Sequence, residues 1–167
     1  MSKITFFWKP DGNNGGFSQW SDYSIELSNQ PFAYDGESII YDNAEQAMIA
    51  AKAFTFQDFD IIPEIMECKN LALIRRLGRK VKNYDHQIWN NVKEDIVYRI
   101  NLAKFRQHTD LRVLLQNTGN DTIANASPYD KIWGIGLSEN NIMVQNQDNW
   151  IGLNLLGKIL QRVRNHI

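Results

Sequence analysis

The sequence predicts an α+β fold that is predominantly helical, with a small antiparallel sheet near the amino terminus. Short segments rich in aromatic and β-branched residues come before residue 42, and segments with helical periodicity follow it. The chain has 167 residues, of which 43% are hydrophobic and 11% aromatic, enough for one sizeable core. We therefore expect a single domain spanning residues 1–167.

Four short segments in the amino-terminal quarter have the composition of strands. They are Ile4–Trp8, Tyr23–Leu27, Pro31–Tyr34 and Ser38–Tyr41. Asp35–Gly36 lies between the last two and is a favourable hairpin turn. We expect a small antiparallel sheet that leads directly into the first helix.

The segment from Tyr41 to Phe54 predicts a buried helix around which the chain is organised. Its apolar residues surround nearly the whole helix, and Asp42 or Asn43 can cap its first turn. Glu45 and Lys52 are seven residues apart, so they share one face with their Cα atoms ~10 Å apart. They either form the helix's solvated stripe, with Glu45 completing a capping box, or line a site that takes a sugar-sized ligand.

Further helices are predicted along the rest of the chain. The second has Pro63 near its first turn, Gly78 stops the third, Asp85 caps the fourth, and Thr118–Gly119 closes the fifth. Their ranges are Asp58–Glu67, Lys69–Leu77, Asp85–Arg106, Asp110–Asn117 and Gly152–Asn165. Ser138–Asn149 is expected to be a polar loop.

Several other segments are candidates for ligand binding. Phe17, Ser18 and Trp20 can wall and hydrogen-bond a planar ligand, although core packing of the two rings is equally consistent with the pattern. Arg79 is the member of a local basic run best placed to hold phosphate, against a solvated basic face as the alternative. Trp89 can offer a stacking surface, and the glycines in Trp133–Leu137 allow backbone to pass close to a ligand or to bend tightly against Trp133.

Composition excludes several classes of site. The formal net charge of −1 gives no overall attraction to nucleic acid or membrane, so a polyanion would need a local patch. The single Cys68 excludes an internal disulfide, and three scattered histidines argue against a zinc site. Met1–Pro10 lacks an apolar run of signal-peptide length, and no membrane-spanning run occurs, so we expect a cytoplasmic protein without metal or redox cofactor.

The combination of motifs from about Phe17 to the end resembles the NADAR family, also called YbiA-like. The order and spacing of the motifs carry the resemblance, because no one of them is specific alone. They are Phe17–Ser21, Tyr41–Ala47 with Lys52–Phe54, Leu77–Val81, Tyr84–Asp85, Trp89, Lys104–Phe105, Leu114–Gly119, Ser127–Leu137 and Gly152–Gly157.

This resemblance implies a compact, largely helical α+β domain that acts as an N-glycosidase, cleaving the bond between a ribose and a nitrogenous base. Family members act on early riboflavin-pathway intermediates or remove ADP-ribose from guanine, in nucleosides or in nucleic acid. It implies no obligate protein partner. The implied catalytic residues are Glu45, Lys52 and Asp130, and the implied substrate contacts include Phe17, Ser18, Trp89, Trp133, Gly134 and Leu137, to which we add Trp20, Arg79 and Gly136.

Three positions depart from the family pattern. Many relatives have Asn where this chain has Gln19, His at Gln46, and an acid at Asn125, which leaves acid–base work to Glu45 and Asp130. The family resemblance also implies that Lys52 forms a Schiff base with a ring-opened ribose. A buried lysine has a lowered pKa whereas a charged Glu45 would raise it, and sequence leaves both directions open. The competing hypothesis is a module that binds ADP-ribose or a related nucleotide without cleaving it.

Overall fold

The structure is a computed structural model that describes residues 3–167. This part of the chain contains four strands and six α-helices, which confirms the predominantly helical α+β fold. The strands are β1 Ile4–Phe7, β2 Ile25–Ser28, β3 Ser38–Tyr41 and β4 Thr122–Asn125. The helices are α1 Ala44–Thr55, α2 Ile62–Glu67, α3 Leu71–Lys80, α4 His86–Gln107, α5 Thr109–Gln116 and α6 Leu155–Arg164.

The strands form two separate pairs. The expected antiparallel sheet is the pair β2–β3, in which Ile25 lies opposite Tyr41. β1 instead pairs in parallel with β4, and Ile4 lies opposite Thr122. The sequence did not predict β4, because four residues between two helices are too short to show a strand period.

The predicted strand Pro31–Tyr34 is wrong. These residues form turns, because Asn29 adopts a left-handed backbone with φ 61° and its carbonyl accepts the N–H groups of Phe32 at 2.8 Å and Ala33 at 2.9 Å. Local hydrogen bonds of this kind compete with strand pairing. The side chain of Tyr41 secures the turn from the core, where its hydroxyl donates to the carbonyl of Phe32.

Helix α1 is buried nearly all round, as its composition predicts. Its cap is formed by Asn43, whose side chain accepts the N–H of Gln46 at 2.9 Å, and by Gln46, whose amide oxygen accepts the N–H of Asp42 at 2.7 Å. The Gln46 amide also donates to the carbonyls of Ile65 and Met66, which ties the end of α2 to α1. Gln46 therefore does the capping that the sequence assigned to Glu45, and Glu45 is left for another role.

Helix α3 does not stop at Gly78, as the sequence predicted, but continues through it to Lys80. Gly78 is buried against α1, and a Cβ there would lie only 2.7 Å from Cδ1 of Ile49. The glycine therefore allows α3 to pack closely on α1 and does not end the helix. Likewise α6 begins at Leu155, because Gly152 lies against the backbone of Gly134 and Asn154 is left-handed.

The main hydrophobic core surrounds α1. Helices α3 and α4 pack against α1, while α6 packs on both α4 and β4. A smaller cluster of Ala124, Ala126, Ile135 and Val144 lies on the other side of β4. Within residues 3–167, no helix has the length and apolar character needed to span a membrane.

Candidate active site

Helix α1 carries Glu45 in its first turn and Lys52 in its last turn. Glu45 is only 5% exposed. Lys52 is partly buried. The burial of Glu45 contradicts the solvated stripe for this residue, because a carboxylate on a solvated face remains accessible to water. A buried carboxyl group without a capping role indicates a functional site.

Glu45 is paired with Arg75 on the neighbouring helix α3. Nε of Arg75 lies 3.5 Å from Oε1 of Glu45, and its guanidinium carbon lies 4.0 Å from the centroid of the Trp20 ring. Burial raises the pKa of Glu45, while the charge of Arg75 and hydrogen bonds from Trp20 and Arg75 oppose that rise. The net effect raises the pKa of Glu45, and its contact with Arg75 holds the carboxyl group in place.

Asp130 approaches the same carboxyl group from the loop after β4. Its Oδ1 accepts the N–H groups of Ile132 at 2.9 Å and Trp133 at 2.8 Å, which orders the turn that carries Trp133. The charge of Asp130 is close enough to contribute to the raised pKa of Glu45, after burial as the largest cause. Glu45 and Asp130 are therefore near enough for their charges to interact, and a shared catalytic role for them stays a prediction.

Lys52 lies in an aromatic environment between α1, α3 and α4. Its Nζ donates to the carbonyl of Gly78 at 2.7 Å and lies 4.3 Å from the ring centroid of Tyr84 and 5.8 Å from that of Trp89. Burial and then the nearby charge of Arg79 lower the pKa of Lys52. The sequence left open whether the pKa of Lys52 is raised or lowered, and in the structure it is lowered. A lower pKa increases the fraction of neutral amine, which is the form that acts as a nucleophile.

Lys104 of α4 holds the loop between Gly16 and Ser21 from the side of the core. This lysine is fully buried, and its Nζ donates to the carbonyls of Gly16 at 2.7 Å and Ser18 at 2.9 Å and to Oγ of Ser21 at 2.7 Å. Burial lowers the pKa of Lys104 to about 7. The carbonyl of Gln19 accepts the N–H of Glu45 at 3.0 Å, so the same loop is joined to the start of α1.

Two of the predicted contact residues on this loop are buried. The ring of Phe17 is fully buried, 5.7 Å from the ring of Phe7 and 5.8 Å from that of Phe105, so it supports the loop from the core. Ser18 is 6% exposed, and its Oγ accepts the N–H of Trp20 at 3.3 Å. Trp20 remains partly exposed beside Arg75, which makes it the member of this segment with a ring surface open to a ligand.

The predicted glycine-rich segment packs at the carboxyl edge of β4. Gly134 has no room for a side chain, since a Cβ would lie 2.8 Å from the carbonyl oxygen of Asp130 and 3.0 Å from that of Asn125. Gly136 has φ +72°, a conformation that favours glycine. Trp133 packs partly buried against the main core, whereas Leu137 packs against the smaller cluster that includes Ile135.

Sequence reasoning missed three residues of this site: Arg75, Tyr84 and Lys104. Arg75 and Arg79 are one helical turn apart and so share a face of α3, but Arg76 and Lys80 have the same spacing, so the sequence does not single out either pair. Lys104 continues the buried series Ile96 and Ile100 at intervals of four residues, which places a charge on an apolar face. Tyr84 gave no signal beyond its place in a family motif.

Comparison with known proteins shows the family and the fold of this chain. The family described as "NADAR domain" matches residues 6–167. The chain is 42% identical to N-glycosidase R617 of Acanthamoeba polyphaga mimivirus over 97% of this chain and 95% of that protein. It is 28% identical to the chloroplastic riboflavin biosynthesis protein PYRR of Zea mays, but spans only 25% of that protein. The NMR structure of the E. coli protein YbiA shares the fold, with a TM-score of 0.75 at 23% identity, covering 99% of this chain and 84% of that chain.

Proposed function

Because the chain belongs to the NADAR domain family, we propose that it is an N-glycosidase that hydrolyses the bond between a ribose and a nitrogenous base. The match extends over nearly the whole chain, and the similar mimivirus protein is named an N-glycosidase. The observation that carries the proposal is the shared face of α1, on which a buried Glu45 and a partly buried Lys52 stand two turns apart.

Cleavage of an N-glycosidic bond makes two chemical demands. The departing nitrogen needs a proton as it takes the electron pair of the C–N bond, and the anomeric carbon needs stabilisation as it becomes positive. Glu45 suits the first task because burial raises its pKa and so favours the protonated form. Asp130, near Glu45 and partly exposed, suits the second task as a carboxylate beside the ribose.

Lys52 supplies a nucleophile in the proposed reaction. When the ribose opens, the bond between the anomeric carbon and the ring oxygen breaks, the oxygen takes up a proton, and the carbon is left joined to the base as an imine. The neutral amine of Lys52 adds to this carbon, and the C–N bond to the base then breaks as the base nitrogen takes a proton from Glu45, which leaves a Schiff base on Lys52. Water adds to the Schiff base, releases the sugar as an aldehyde and regenerates the amine. The hydrogen bond to the carbonyl of Gly78 and the rings of Tyr84 and Trp89 fix the position of Nζ. Burial and the charge of Arg79 lower the pKa of Lys52 and thereby increase the fraction of neutral amine.

The proposed substrate is a phosphorylated nucleotide: either ADP-ribose linked to guanine, free or within nucleic acid, or a phosphorylated ribosyl intermediate of riboflavin synthesis. Both carry phosphate near the ribose, and the guanidinium of Arg79 is the proposed phosphate contact. The name of the maize relative favours the riboflavin intermediates, although the chain covers a quarter of that protein. Trp20 and Trp89 are the ring surfaces that support stacking of the base.

A nucleotide-binding module without catalysis is the second candidate. It would need the aromatic surfaces and the phosphate contact, but not a buried carboxyl group beside an aspartate. Burial of Glu45 costs free energy that binding alone does not explain, which favours the enzyme.

A mass-spectrometric assay with two substrates tests the proposal. Purified protein is incubated with ADP-ribosyl-guanosine and, separately, with the phosphorylated ribosylaminouracil intermediates of riboflavin synthesis. Release of a free base from either substrate supports an N-glycosidase and identifies its substrate class. Calorimetric binding of either compound without base release would instead establish the binding module. Reduction with borohydride during turnover should add the mass of the sugar to the peptide that contains Lys52.

A further inference from the structure

Two aromatic side chains meet where the parallel strands β1 and β4 end. Trp8 directly follows β1, and Tyr129 comes four residues after the end of β4. Phe7 lies opposite Asn125 in the register, and the N–H of Ala126 donates to the carbonyl of Phe7 at 2.8 Å. The two segments therefore leave the sheet at one edge, where their ring centroids are 6.0 Å apart and inclined by 53°.

The pair presents an open aromatic face. The side chain of Tyr129 is 86% exposed, whereas Trp8 is partly buried and supports it from one side. A large aromatic ring that is held by a second ring but open to solvent offers a planar surface on which another ring can stack.

Two lysines accompany this aromatic pair, one in contact with it and one near it in the chain. Nζ of Lys9 lies 4.8 Å from the ring centroid of Trp8, and the exposed Lys131 is two residues after Tyr129. Aromatic surface combined with lysine charge suits a nucleobase that carries phosphate, because the base stacks while the ammonium groups attract the phosphate.

The pair is also joined along the chain to a residue of the candidate site. Tyr129 directly precedes Asp130, whose charge acts on Glu45. A ligand with its ribose between Glu45 and Asp130 that extends along this loop would reach Tyr129. The loop itself is ordered by the two hydrogen bonds to Oδ1 of Asp130, so the ring is attached to a defined turn.

We propose that Tyr129 and Trp8 form a second base-stacking subsite, which holds a second nucleobase joined through phosphate to the ribose at Glu45. This proposal rests on the proposed function, which places the ribose near Glu45. Such a subsite would distinguish the two candidate substrates. ADP-ribose linked to guanine has a second base that can occupy it, whereas a phosphorylated ribosyl intermediate of riboflavin synthesis has only one base.

The test compares two ligands that differ in the adenosine monophosphate half, which carries the second base. ADP-ribosyl-guanosine is compared with phosphoribosyl-guanosine, which lacks the adenosine monophosphate half, by titration calorimetry in a Lys52→Ala background that prevents turnover. Tyr129→Ala should weaken binding of the larger ligand about tenfold, the loss expected for one stacked base, and leave the smaller ligand unchanged. Tyr129→Phe keeps the ring and should bind both ligands normally. Ile142→Ala removes another highly exposed apolar side chain, from the loop before α6, and serves as the control.

A third ligand identifies the source of the second base. The third ligand is a single-stranded oligonucleotide with an ADP-ribosylated guanine. If Tyr129→Ala weakens binding of this oligonucleotide but not binding of ADP-ribosyl-guanosine, the stacked base belongs to the neighbouring nucleotide and the subsite stands. Equal weakening of the large and small ligands, or no weakening of any ligand, would overturn the subsite. Base release by the unmodified protein is measured separately, so failure of catalysis and failure of the subsite give different results.

Discussion

Arg75 and Glu45 connect α3 to α1, with Nε of Arg75 3.5 Å from Oε1 of Glu45. The arginine side chain is 47% exposed and stacks on Trp20, whereas the Glu45 side chain is 7% exposed. A half-exposed guanidinium thus holds a buried carboxyl group and still reaches the space that a ligand would occupy. This pair gives Glu45 a charged partner that can respond when substrate binds.

Removing Arg75 should change the pH dependence of the reaction. The charge of Arg75 lowers the pKa of Glu45 against the effect of burial, so Arg75→Gln should raise that pKa further. The limb of the pH profile of kcat/KM that reports Glu45 should therefore move to higher pH. Arg76→Gln, at the next residue of α3, is the matched control and should keep the original profile. Identical profiles for the two variants would show that Arg75 does not act on Glu45.

Glu45→Gln should reduce activity and increase stability. We expect base release to slow about 100-fold or more, because the proposed acid is lost. Burial raises the pKa of Glu45 above its value in the unfolded state. Between these two pKa values the folded state binds more protons than the unfolded state, so the free energy of unfolding falls as the pH rises through this range. Gln carries no charge, so the variant should unfold at a higher temperature than the wild type at mildly alkaline pH. The difference should shrink in acid, and a variant less stable at both pH values would contradict the buried charge.

Lys104→Met should loosen the loop that carries Ser18 and Trp20. The change removes the three hydrogen bonds that Lys104 donates to this loop, and we expect a loss of about 2–4 kcal/mol in the free energy of unfolding together with slower turnover. Lys158→Met changes an exposed lysine on α6 and should have little effect on either quantity. Thermal unfolding and base release measure the two effects.

The same variant tests the protonation of Lys104. Burial lowers its pKa to about 7 in the folded state. An unfolded lysine has a pKa of about 10.4, so the unfolded state binds more protons between these values and wild-type stability should rise with pH across that window. Lys104→Met should lack this rise. An unchanged slope in the variant would show that another group is responsible.

Gly134→Ala should displace the turn that holds Asp130. A Cβ at residue 134 would lie 2.8 Å from the carbonyl oxygen of Asp130, so the backbone must shift, and we expect kcat/KM to fall about tenfold or more. Gly36→Ala is the matched control because it has φ +80° but no atom within 4 Å of the added Cβ. It should cost stability through backbone strain alone and leave kcat/KM unchanged. Equal effects on activity would argue against a role for the Asp130 turn.

The sequence predicted the elements whose signals are local. The cap and apolar pattern of α1 and the Asp85 cap of α4 are both encoded by neighbouring residues, whereas the predicted hairpin of Pro31–Tyr34 with Ser38–Tyr41 is not formed. β4 and the packing role of Gly78 were missed because both depend on partners far along the chain, Ile4–Phe7 and Ile49. A glycine that ends a helix and a glycine that lets two helices approach look alike in one sequence.

In the candidate site, too, local features follow from the sequence, whereas features that depend on distant partners do not. The shared face of Glu45 and Lys52 follows from helix geometry, but burial of Glu45 depends on which elements cover that face. Arg75 belongs to a run of basic residues, and only the packing of α3 on α1 selects it as the partner of Glu45. The direction of the Lys52 pKa likewise required knowledge of its burial and of Arg79.

The most direct measurement is single-turnover release of free base by the wild type and by Lys52→Ala, with whichever of the two proposed substrates the wild type cleaves. Lys80→Ala, on the exposed face of α3, is the control, and thermal unfolding verifies that each variant is folded. We predict that the wild type and Lys80→Ala release base at similar rates while folded Lys52→Ala is about a thousandfold slower. Base release by Lys52→Ala at the wild-type rate would contradict the catalytic role of the face that Lys52 shares with Glu45.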